Sequence, residues 1–110
     1  MSKALTIKEN RDFQRLYRRG KSFVSPVVVT YVMKSKGNDI YYGITTGKKV
    51  GNAVRRSRAR RVIRAAFREV FPQLKTGYDI IFVARGKTPY VKSGVVAQAM
   101  RDHFSQAGIL

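Results

Sequence analysis

The sequence predicts an α+β sandwich, with helices packed on a mixed sheet. Three observations carry this reading. Two runs rich in β-branched and aromatic residues, Val27 to Lys34 and Ile40 to Thr46, flank a turn. A stretch without Pro or Gly, Ala53 to Phe71, then repeats apolar residues at helical spacing. A third apolar run, Tyr78 to Ala84, precedes a second helical stripe that starts near Ser93. At 110 residues the chain can bury one core but hardly two, so a single domain over 1–110 is expected.

Taken in order, Asn10 is placed to cap a short helix from Arg11 to Arg19, which Gly20 ends. Thr6 with Glu9 also fits a capping box, which leaves the start open by a turn. Phe13, Leu16 and Tyr17 share one face of this helix. Leu16 reads as a core anchor, whereas Phe13 and Tyr17, with Tyr31, read either as core or as the lining of a groove beside the sheet. Ser22 to Val24 suits a short edge strand before Pro26. In the next run Val27, Val29, Tyr31 and Met33 face one way, and Val28, Thr30 and Val32 the other. Lys36-Gly37-Asn38-Asp39 supplies a turn, so Ile40 to Thr46 is expected to return as the antiparallel partner.

Asn52 is a good cap for the long helix, since its side chain can accept from a free N–H of the first turn. Pro72 stops that helix. Tyr78 to Ala84 is apolar on both faces, as in a buried strand parallel to its neighbour, which makes the long helix a crossover connection. Arg85 to Pro89 forms a basic loop. Val96, Ala99, Met100, His103, Phe104 and Ala107 stripe the last helix, and Gly108 ends it.

The long helix has two unlike faces. Ala59, Val62, Ile63, Ala66, Phe67 and Val70 make the core side; Ser57, Arg58, Arg61, Arg64 and Arg68 make the other, with Arg60 at its edge. No acid precedes Glu69 on this helix, and like charges at i, i+3 and i+4 destabilise it. A chain that carries such repulsion is suited to a polyanion, and arginine forks match phosphate better than lysine does. The whole chain agrees: 23 Lys and Arg against 6 Asp and Glu give a net charge of +17. Such a field favours nucleic acid and fast encounter with it. Six Tyr and six Phe add the rings that unpaired bases stack on.

Catalytic constellations are missing from the pattern. There is no Cys, which removes disulfides, thiolate zinc sites and a Cys nucleophile. His103 is the only histidine and sits in a helical apolar stripe, so a buried structural imidazole is expected. The carboxylates Glu9, Asp12, Asp39, Glu69, Asp79 and Asp102 are scattered, without a pair spaced as in metal-dependent nucleases. Gly47 and Gly51 frame Lys48 and Lys49 but lack the spacing of a nucleotide-binding loop. The chain alone is therefore expected not to catalyse. No signal-peptide core opens it and no apolar run approaches ~20 residues, so a soluble, cytoplasmic protein is expected.

Phe13-Gln14-Arg15-Leu16-Tyr17-Arg18-Arg19-Gly20, Gly43-Ile44-Thr45 and Lys48-Lys49-Val50-Gly51-Asn52-Ala53-Val54 carry a family likeness. With Arg56-Ser57-Arg58, Arg60-Arg61-Val62-Ile63-Arg64 and Tyr78 to Arg85, they closely resemble the bacterial ribonuclease P protein subunit over essentially the whole chain. The resemblance implies a two-layer α/β sandwich, with a mixed four-stranded sheet, three helices and an unusual left-handed crossover, a fold shared with domains of ribosomal proteins. It implies that a partner RNA binds Mg²⁺ and hydrolyses the phosphodiester at the 5′ end of mature tRNA, while the protein holds the single-stranded leader of precursor tRNA and supports metal binding. Lys48, Lys49, Asn52, Arg56, Ser57, Arg58, Arg60, Arg61, Arg64 and Arg68 would face the catalytic RNA, and Phe13, Tyr17 and Tyr31 the leader. The family signature is Arg-Asn-Arg; Ser57 stands at its middle position here, with a shorter reach than an amide. A small basic ribosomal or RNA-chaperone protein is the alternative, and a protein-only nuclease a third class. Rescue of precursor-tRNA cleavage by a bacterial catalytic RNA at low Mg²⁺ discriminates them.

Overall fold

The computed structural model describes residues 4–110. Among these, five strands form one mixed sheet: β1 (Ala4–Thr6), β2 (Lys21–Val24), β3 (Val28–Lys34), β4 (Ile40–Thr45) and β5 (Tyr78–Ala84), in the order β1-β4-β5-β3-β2. Three α-helices accompany them: α1 (Asn10–Arg19), α2 (Ala53–Val70) and α3 (Ser93–Ala107). The α+β class, the mixed sheet and the three helices are as the sequence predicts.

The strand pairing differs in one respect. β3 and β4 are not hairpin partners, because β5 lies between them, antiparallel to β3 and parallel to β4. Ile81 thus has Tyr31 on one side and Gly43 on the other. β5 takes the centre because it is the strand that can be buried on both faces; Ile80, Ile81 and Phe82 are all fully buried. The loop from β3 to β4 opens to admit it. Ser35 N donates to Gly77 O, and Gly77 N donates to Asp39 O, so the approach to β5 is clamped between the two ends of the supposed turn. The sheet also has one strand more than the four implied. The addition is β1, parallel to β4 at the edge, with Leu5 opposite Tyr41. Three residues are too few to show a period of two.

α2 and α3 cover one face of the sheet. Ile63, Phe67 and Val70 from α2 and Val96, Met100 and Phe104 from α3 meet Val28, Val32, Ile40, Ile80 and Phe82 in one core. The Phe67 ring centroid is 5.1 Å from that of Phe82 and 6.5 Å from that of Phe104, which ties both helices to the central strand. Each large side chain buried this way contributes about 1.5–3 kcal/mol. α1 lies on the opposite face, across β3 and β5, as a partial further layer. Leu16 and Ile81 are fully buried outside the main core.

The helix ends show which local signals acted. Asn52 Oδ1 accepts from Arg55 N at 3.0 Å, capping α2 as expected. At α1, Asn10 is already helical and no side chain caps the start; Glu9 precedes the helix and its carbonyl accepts from Asp12 N. Gly20 is not left-handed (φ −73°) but runs straight into β2. A side chain there would place its Cβ 2.7 Å from Leu16 O, so close approach and not helix capping requires the glycine. Among the described residues, no helix is long and apolar enough to cross a membrane.

Candidate nucleic-acid interface

α2 presents Ser57, Arg58, Arg60, Arg61, Arg64 and Arg68 to solvent, along a stripe of ~17 Å at 1.5 Å per residue. Ion pairs among the described residues join Glu9 to Arg11, Asp12 to Arg15 and Glu69 to Arg101, and none involves an arginine of α2. Glu69, the acid on α2 itself, is thus directed to α3 and leaves the arginine stripe uncompensated. At the N-terminal end, Lys48 and Lys49 are exposed on a 3₁₀ turn anchored by buried Val50. Gly51 follows at φ +129°, a conformation other residues rarely adopt, and its carbonyl accepts from Arg56 Nη1 at 3.0 Å. Arg58 Nε donates to Pro89 O at 2.6 Å. Arg56, Arg58 and Asn52 therefore each spend one polar group on the fold, while the side chains of Arg60, Arg61, Arg64 and Arg68 make no hydrogen bond or ion pair among the described residues.

On the opposite face of the sheet, the aromatic residues meet. Tyr17 and Tyr31 pack edge to face with centroids 5.0 Å apart, and Tyr17 Oη donates to Thr45 Oγ1 across 3.3 Å, a long contact. Phe13 lies directly on Gly43: a Cβ at that glycine would sit 2.6 Å from two ring carbons. All three rings are half-buried, neither sealed in the core nor free in solvent. A recess of about 150 Å³ joins this cluster to the arginine stripe, with Phe13 and Gly43 on one side and Arg60 and Arg64 on the other. It opens where β1 stops, because Thr6 pairs with Tyr42 and leaves Gly43 to Thr45 at an uncovered edge. Phe13, Tyr17 and Tyr31 are thus brought together as the sequence suggests. Lys48, Lys49 and Asn52 lie apart, at the far end of α2 from Arg68.

A larger cavity, about 760 Å³, opens between β1, the start of α1 and the β3–β4 loop, with Asp12, Arg15, Tyr41 and Asp79 among its lining. Burial pushes the Asp79 carboxyl up from its ordinary value; the Arg15 guanidinium opposes this, and Asp12 adds to it. His103 is buried, as its place in the stripe predicts, with Nδ1 2.8 Å from Thr30 Oγ1 and the ring stacked near Phe23. Burial lowers its pKa, against smaller raising effects from a backbone hydrogen bond to Val24 and from Asp102. Among the described residues, no three His, Cys, Asp or Glu side chains converge to hold a metal.

Sequence reasoning passed over Arg55 and Tyr90. The Arg55 guanidinium lies 5.7 Å from the Tyr90 ring centroid, and Tyr90 is 65% exposed. The available signal was an aromatic residue directly after a basic, proline-containing loop.

A long uncompensated arginine stripe joined to half-buried rings on a mixed α+β scaffold defines a basic nucleic-acid-binding class of protein. Comparison with known proteins narrows it. The ribonuclease P family model matches residues 1–108. A ribonuclease P protein component of Clostridioides difficile is 42% identical over 80 residues, covering 72% of this chain and 70% of that protein. One from Oceanobacillus iheyensis is 34% identical over 112 residues, covering 100% and 92%. The structure of the Staphylococcus aureus RNase P protein superposes with a TM-score of 0.79 at 32% identity, covering 96% of each chain. The chain belongs to the bacterial ribonuclease P protein component family, subunits of the endoribonuclease that processes the 5′ end of tRNA.

Proposed function

We propose that the two surfaces divide the work of the holoenzyme, the α2 stripe docking on the catalytic RNA and the α1 cleft holding the precursor-tRNA leader. Lys48, Lys49, Asn52, Arg56, Ser57, Arg58, Arg60, Arg61, Arg64 and Arg68 neutralise phosphates of the RNA partner. Phe13, Tyr17 and Tyr31 take unpaired leader bases. The observation that carries this reading is the recess where the two surfaces meet, lined by Phe13 on the cleft side and by Arg60 and Arg64 on the stripe side, so that a leader lying on the rings runs beside RNA docked on α2. The chain acts as one RNA-binding domain in the cytoplasm. Its scattered carboxylates do not fit a divalent-ion site of their own, so Mg²⁺ and the hydrolytic step are assigned to the RNA, with the protein lending positive charge and substrate grip.

Tyr17→Ala tests the division. Stacking of a base on an aromatic side chain is worth ~1–3 kcal/mol, so affinity for precursor tRNA with a leader should fall by roughly 5- to 150-fold. Affinity for mature tRNA, and for the catalytic RNA, should stay the same. If Tyr17 serves only packing, all three affinities decline together with the melting temperature, and the leader assignment is lost.

A further inference from the structure

Tyr90 is an exposed ring on a rigid mount. Thr88 is fully buried; its hydroxyl donates to Val27 O at 2.6 Å and accepts from Arg85 N at 2.8 Å. Pro89 is buried beside it, and the Pro89 carbonyl accepts the Arg58 Nε bond from α2. Tyr90 N closes the turn on Lys87 O at 3.0 Å. The backbone that carries the ring is therefore held from the sheet, from its own loop and from α2, while the ring itself stays 65% exposed. A cation–π contact at an exposed site is a weak interaction, and an Arg over a Tyr does not require such a mount.

The charge around the ring is of one sign. Arg55 stands over it, Lys87 and Lys92 flank it in sequence, and no acid occurs from Arg85 to Lys92. None of these three cations is in an ion pair among the described residues. The ring lies on the α3 side of α2, where Arg55 and Arg58 project, whereas Arg60 and Arg64 project toward Phe13. α2 is thus flanked by two aromatic–arginine junctions, one on either side of the exposed stripe.

We propose that Tyr90 and Arg55 form a second base-stacking seat, which takes an unpaired nucleobase of the catalytic RNA while Arg55 and Lys87 meet the adjoining phosphates. This rests on the reading that the α2 stripe docks on that RNA. On the same reading the leader runs over Phe13, Tyr17 and Tyr31 on the opposite face of the sheet, which leaves the catalytic RNA as the occupant of this seat. A preformed aromatic platform costs little ordering on binding, and the mount supplies that preorganisation.

The test is equilibrium binding of a bacterial ribonuclease P RNA to Tyr90→Ala, Tyr90→Phe and Tyr90→Leu over a salt series, with an Arg61→Ala/Arg64→Ala double variant as reference. Tyr90→Ala and Tyr90→Leu should weaken binding ~5- to ~150-fold, and Tyr90→Phe should bind like the parent. The slope of log K against log salt should not change in the Tyr90 variants, because no charge is lost, whereas the double arginine variant should flatten it. Tyr90→Leu keeps an apolar side chain at the site should the alanine variant fold poorly. Binding by Tyr90→Leu at parental strength overturns the seat. So does a loss confined to precursor-tRNA affinity, or a Phe variant as weak as the Leu variant. If the Tyr90 variants bind normally while the double arginine variant does not, the seat falls and the docking of α2 stands. If none of them weakens binding, the docking itself falls.

Discussion

Gly43→Ala probes the floor of the leader cleft without removing a ring or a charge. A Cβ there would lie 2.6 Å from Cε1 and from Cζ of Phe13. Ordinary carbon contacts are ~3.5–4.0 Å, so the ring must retreat by about 1 Å or the strand must bend. At Gly43 the strand is paired with fully buried Ile81 of β5, whereas Phe13 is half-buried on a short helix, so the ring is the part that moves. Overpacking of this kind costs ~1–3 kcal/mol, and replacing a strand glycine with alanine returns ~0.4–1 kcal/mol by restricting the unfolded chain. The net loss is ~0–2.6 kcal/mol, or a fall in Tm of up to roughly 10–20 °C at ~4–8 °C per kcal/mol. Leader affinity, read as precursor against mature tRNA, should fall by ~5-fold or more, since the displaced ring no longer faces the recess. The decisive measurement is a double-mutant cycle with Phe13→Ala. With the ring gone, Gly43→Ala should be neutral or stabilising. An equal cost in both backgrounds would refute the contact, and an unchanged leader affinity would refute the role assigned to it.

Two further outcomes are expected. Arg61→Ala and Arg64→Ala should each weaken binding to the catalytic RNA and lower the log K against log salt slope by about one unit or less; a slope unchanged after both would remove the stripe from the interface. His103→Gln should leave the cleavage rate at saturating protein unaltered, and should flatten the acid side of the stability profile. Burial lowers the folded-state pKa below the ordinary 6.5, so as pH falls through 6.5 the unfolded chain takes a proton that the native imidazole resists. Wild-type Tm should therefore drop as pH falls below 6.5, levelling only once the folded-state pKa is passed. A wild-type profile no steeper than that of the variant between pH 7 and pH 5 would contradict this.

What the sequence disclosed and what it withheld follow from the range of the forces involved. The two faces of α2, the Asn52 cap and the burial of His103 depend on neighbours within a turn or two, and spacing alone reveals them. The place of β5 depends on a choice between partners far apart in the chain. Val27 to Lys34 and Ile40 to Thr46 read as a hairpin because four turn-forming residues join them; the apolar run of Tyr78 to Ala84 marks β5 as buried and parallel to a neighbour, but no local signal says that it lies between those two strands. Once Ile81 sits between Tyr31 and Gly43, those two residues are separated by a strand's width, and α1 must bridge them. The cleft is a consequence of that insertion. Tyr17 contacts Tyr31 on one strand and Thr45 on another, while Phe13 packs on Gly43, so a single helix turn spans the central strand. A true β3–β4 hairpin would instead place Tyr31 and the Gly43 edge side by side, too close to leave room for a stacked base. The same insertion brings the end of β5 beneath α2, and the loop that follows lifts Tyr90 to Arg55. Both aromatic–arginine junctions thus trace to the one pairing that local sequence could not specify, which is why Phe13 was legible as a cleft residue but not as a neighbour of Arg60 and Arg64, and Tyr90 was not singled out at all.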